Sequence, residues 1–146
     1  MEIDYNRLAK NDEGYINEIK KALEVQCNFK AGKLIGRVLH TLRGSLTYSE
    51  SADLIQLLPD SIKIIYVSDW RLKANKVEIN CLDSFVEFVM HNDKAHVEQV
   101  ISGESMALNA IITTIKMLDR HIHFLSHDFL KYPIKNEIEE AMYKAA

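Results

Sequence analysis

Apolar residues recur along this chain at three- and four-residue steps, the spacing of one face of an α-helix. The stretch AGKLIGRVLHTL carries the plainest stripe, made of Ala31, Leu34, Ile35, Val38, Leu39 and Leu42, with Lys33, Arg37 and Arg43 off it. EGYINEIKKALEV repeats the pattern through Tyr15, Ile16, Ile19 and Leu23, behind Asp12 as N-cap. Gly44 is read as the stop of the longer helix. Ser49 then caps a third helix that runs to Leu58 and yields to Pro59. Asp60 or Ser61 opens a short helix bearing Ile62, Ile65 and Tyr66.

Residues 71–80, RLKANKVEIN, are polar and only weakly alternating, so they read as a connector with at most one extended piece. Beyond it, Asp83 caps a helix through Phe85, Val86 and Val89, and HVEQVI suggests a further turn or two. Gly103 precedes a long helix whose apolar face is Ala107, Leu108, Ile111, Ile112, Ile115 and Leu118. Ser126 is expected to cap a short helix ending before Pro133, and residues 134–143 form the last one.

The two halves run parallel. Tyr15, Ile16 and Ile19 answer to Phe85, Val86 and Val89, while Ala31, Ile35, Leu39 and Leu42 answer to Ala107, Ile111, Ile115 and Leu118 at one constant offset. Each half then places a short capped helix before a proline, Pro59 or Pro133, and closes on a tyrosine, Tyr66 or Tyr143. The expected fold is therefore all-α: one compact helical domain over 1–146 with about seven to nine helices. It would hold two similar multi-helix units, about 12–70 and 82–143, joined by a connector at about 71–81. Each unit would bury its open apolar face against the other, as stacked helical repeats do.

Composition narrows the class. Hydrophobic residues at 47% and charged residues at 27% make an ordinary globular mixture, and five glycines with two prolines favour helices over long loops. A net charge of −3 with interleaved signs disfavours duplex binding, which needs a concentrated basic face. No stretch is long and apolar enough to span a bilayer, and MEIDYNRLAK lacks the apolar core of a secretory signal. Cys27 and Cys81 are a sparse pair without CxxC spacing, expected as free thiols in a reducing, cytoplasmic setting.

The run LHTLRGSLTYSESADLIQLLPDSIKIIYVSDW resembles the signature of the bacterial family known as domain of unknown function 2267. The matching residues are Leu42, Arg43 and Leu46, then Glu50, then Gln56 to Pro59, then Tyr66 and Trp70. The resemblance covers most of residues 12–143. It implies a small all-helical protein of two related halves and brings no established activity. Where the family's second unit often has a small-residue, Gly-Glu-type turn, this chain has a histidine tract.

That tract, RHIHFLSHD at 120–128, holds half of the six histidines. On a continuous helix Asp119, His123 and His127 would share one face, a conceivable zinc set. The parallel between the halves instead puts these residues, with His121, at the turn after the long helix, so the preferred reading is turn histidines and no metal or other cofactor. His91 and His96 flank NDKA and read as a helix connection. Cys27 in VQCNF lacks the basic surroundings that activate a thiol, and AGKLIGR lacks the GxxxxGK[ST] of a phosphate loop. Arg43 is expected to cap the end of its own helix, with ligand contact as the alternative, and Tyr66 and Trp70, four apart, to stack as a core edge or an interaction anchor.

No catalytic set emerges. The expectation is a non-catalytic interaction module that binds an unidentified protein partner or itself, a homodimer being the simplest form, with Arg43, Tyr66 and Trp70 as contact candidates. The contact surface would use exposed apolar residues on the short helices or the leading segment, whose Ile3, Tyr5 and Leu8 need cover from their own domain or from a second copy. The alternatives are a metal protein or enzyme built on His121, His123 and His127, and a nucleic-acid adaptor. No membrane role is expected.

Overall fold

Eight α-helices make up the regular structure of the residues described, 2–71 and 76–144 of this computed structural model, and no strand occurs among them. They are α1 (Tyr5–Asn11), α2 (Tyr15–Leu23), α3 (Asn28–Ser45), α4 (Tyr48–Leu57), α5 (Asp60–Val67), α6 (Leu82–Lys94), α7 (Glu104–Ile122) and α8 (Ile134–Lys144). A single 3₁₀ turn, Phe124–Ser126, follows α7. Both halves run helix, long helix, short element, helix, but they part at the third: α4 has ten residues and the 3₁₀ turn three.

α3 is the hub, touching α1, α2, α5, α6 and α7. Its stripe of Leu34, Ile35, Val38, Leu39 and Leu42 is fully buried, in one core with Ile111, Ile115 and Leu118 of α7. The stripe of α7 is rotated by a step from the expected one. Ala110, Thr114 and Met117 are buried, while Leu108 and Ile112 are only half-buried, because α7 is covered on one flank by α2 and on the other by α6. Arg37, off the apolar stripe, is buried too, since α6 lies over that side of α3.

Several helix ends differ from the sequence reading, each for a local reason. Asp12 is two residues early to be the N-cap of α2, yet its carboxylate accepts from the amides of Gly14 (2.8 Å) and Ile16 (3.1 Å). α3 runs through Gly44 to Ser45, so Gly44 does not stop it. Thr47, not Ser49, caps α4 by a reciprocal box: Thr47 Oγ1 accepts from the Glu50 amide and Glu50 accepts from the Thr47 amide. Cys81 rather than Asp83 is the N-cap of α6. HVEQVI is irregular, and the Asp93 carboxylate holds it by accepting the amides of Val100 and Ile101 at 3.0 Å each.

The leading segment is covered by its own domain. It forms α1, and the Tyr5 ring lies directly on Gly32 of α3, where a Cβ would collide with it. Ile3 and Leu8 pack partly against the same core. Of the expected connector, residues 72–75 lie outside the described residues. Just beyond them, the Val77 amide donates to the Gly44 carbonyl at 2.9 Å, tying the chain to the end of α3.

Candidate binding cleft

The last turns of α3 and α6 and the first turn of α4 enclose, with residues 69–71 and 76–77, a cleft of about 670 Å³. Its base is made by two α3 side chains one turn apart. His40 Nε2 lies 2.7 Å from the Ile65 carbonyl oxygen and 3.2 Å from Ser68 Oγ. A carbonyl only accepts, so Nε2 carries the proton and donates, leaving Nδ1 as the ring's acceptor. Burial, with the Arg43 charge adding to it, pushes His40 down to about 4, against the raising effect of the Ile65 hydrogen bond. The imidazole is neutral at pH 7.

Arg43 donates to the carbonyls of Tyr66 (2.6 Å), Ser68 (2.8 Å) and Asp69 (3.3 Å). It therefore caps the C-terminal end of α5 rather than that of its own helix, because α5 ends beside the last turn of α3. Burial lowers its pKa, and the guanidinium stays charged. Asp69 has a left-handed backbone, φ 53°, which turns Trp70 back so that its ring stands 5.2 Å from the guanidinium carbon. Tyr66 meets Trp70 edge-on at 6.1 Å, and Tyr48 tilts over it at 6.2 Å. Tyr66 itself is fully buried and its hydroxyl pairs with Ser51 Oγ at 2.7 Å; burial raises its pKa. Arg43, Tyr66 and Trp70 thus come together. Tyr66 is core, and the half-buried Trp70 serves as both core edge and cleft wall.

On the opposite wall stand Phe88, His91 and His96. His96 Nδ1 is 2.8 Å from the Asn92 carbonyl and must donate to it, leaving Nε2 as the acceptor of the neutral ring. Arg71 and Lys76 are exposed at the rim. Ser68 and His40 have the composition of a nucleophile and base, but the geometry is wrong for it. Nε2 is already committed to a carbonyl, and a base near pH 4 draws no proton from a hydroxyl at neutral pH.

The histidine tract is spread out. His123 adopts φ 53° and ends α7, its amide donating to the Asp119 carbonyl at 3.0 Å, so no helical face continues to His127. Asp119's carboxylate accepts from the Leu125 amide at 2.9 Å and caps the 3₁₀ turn. His121 lies edge-on to Tyr15 at 4.7 Å and 3.5 Å from Glu18, which also pairs with Arg120. His127 leans on Phe129 at 5.5 Å. Ser126 caps no helix; it sits inside the turn and donates to the His123 carbonyl at 2.7 Å. Among the described residues no group of three His, Cys, Asp or Glu side chains could hold a metal ion. Cys27 and Cys81 are free thiols.

Sequence reasoning did not find His40, nor the ion pair of Arg37 Nε with Asp93 Oδ1 at 2.9 Å, both partners being buried. For His40 a signal existed: a polar pair, His40 and Arg43, at the end of an apolar stripe, followed by Tyr66 and Trp70.

The fold and the cleft define a small all-helical protein with a concave, aromatic and cationic surface. The chain belongs to the family described as Uncharacterized conserved protein (DUF2267), whose model matches residues 12–124. No curated protein matches it in sequence. No helix among the described residues is long and apolar enough to cross a membrane.

Proposed function

We propose that this protein is a non-catalytic helical interaction module, working in a reducing, cytoplasmic setting, that associates with a second copy of itself through α4 and α5. One observation carries the reading. Of the eight large hydrophobic side chains left exposed among the described residues, four stand on these two short helices: Tyr48 and Leu57 on α4, Ile64 and Val67 on α5. Ile64 and Val67, three apart, share one face of α5, which suits an isologous contact between two copies. The described residues of the leading segment include no exposed large hydrophobic side chain, Tyr5 being buried on Gly32.

Light scattering across a range of concentrations tests this. A dimer that Ile64→Asp with Val67→Asp converts to a folded monomer is the expected result. A monomer at every concentration, or a dimer indifferent to both substitutions, overturns it.

A further inference from the structure

We propose that the cleft between α3, α4 and α6 binds a small organic anion with a flat apolar body. Its volume of about 670 Å³ lies within the usual range for small-molecule pockets. Tyr48, Trp70 and Phe88 supply flat walls, Tyr48 being 60% exposed. Charge selects the ligand's head. Among the described residues, Arg43, Arg71 and Lys76 line the cleft against a single acid, Asp69, a local positive surplus in a chain of net charge −3. Arg43 is taken up by three carbonyls, so the exposed Arg71 and Lys76 are the groups available to a carboxylate or phosphate. His40 Nδ1 and His96 Nε2, the acceptors left over on the two rings in their neutral form, suit a hydroxyl or amine elsewhere on the ligand. The cleft and the proposed self-association surface share Tyr48 but not Ile64 or Val67, so the Ile64→Asp with Val67→Asp variant separates the two: it should lose the dimer and keep the ligand.

Trp70 is the sole tryptophan, so its fluorescence reports on this cleft alone. The probes are phenylbutyrate and its uncharged isostere phenylbutyramide, both transparent where indole is excited. Phenylbutyrate is expected to change the Trp70 emission saturably, with the amide about tenfold weaker. Arg71→Gln with Lys76→Gln should weaken phenylbutyrate about tenfold while leaving the amide and the melting temperature unchanged. Tyr48→Ala, at an exposed position, should weaken both probes. No saturable change with either probe, equal affinity for the two, or an unaffected double variant would each overturn the proposal.

Discussion

At the scale of single residues, two polar side chains, one fully buried and one half-buried, have opposite consequences. Thr114 is fully buried in α7, and its hydroxyl finds no hydrogen-bond partner among the described residues. Thr114→Val keeps the shape and removes the unpaired group, so it should raise stability by about 1–2 kcal/mol, read from the urea midpoint. His40 is hydrogen-bonded through Nε2, and its pKa makes stability depend on pH. Unfolded it titrates near the ordinary histidine value of 6.5, folded near about 4, so between these the unfolded chain binds more protons. The stabilisation is complete above about pH 6.5 and declines as pH falls toward about 4, by at most roughly 3 kcal/mol. Urea titrations at neutral pH and at pH ~5 should differ in the wild type, and by much less in His40→Gln.

Elements are held by devices that can be removed singly. Thr47→Ala deletes half of the α4 box and should cost about 1 kcal/mol, read from the same urea midpoint. Gly32→Ala places a methyl where the Tyr5 ring lies, so α1 should lift from α3 and limited proteolysis should cut near residues 11–14 in the variant first. Asp93→Ala strands the buried Arg37 and frees two amides, at a cost of about 3–5 kcal/mol, with faster hydrogen exchange at Val100 and Ile101 as its local mark.

The long elements are legible in the sequence because their cause is periodic. α3 and α7 follow from apolar spacing, and the Leu39 and Ile115 positions are buried as that spacing requires. Helix ends are less legible, because several residues near each end can cap and only the local backbone chooses between Thr47 and Ser49. Of the cleft, Arg43, Tyr66 and Trp70 can be named from sequence but not their arrangement. Arg43 reaches a different helix from the one it belongs to, and His91 and His96 join the site only because α6 packs on α3. Contacts of that kind have no fixed spacing in sequence.

For the whole molecule, α3 gathers neighbours from both halves of the chain, and its Arg37 finds a carboxylate only 56 residues later. A ribosome adding about 5–20 residues per second completes Arg37 ~3–11 s before Asp93 exists. Late in that interval α1, α2 and α5 have been made and can cover α3, while the sides meant for α6 and α7 face water or the exit vestibule. The nascent first half is therefore a client for whatever covers exposed apolar helices in the cell, and the final core closes only once α7 has emerged.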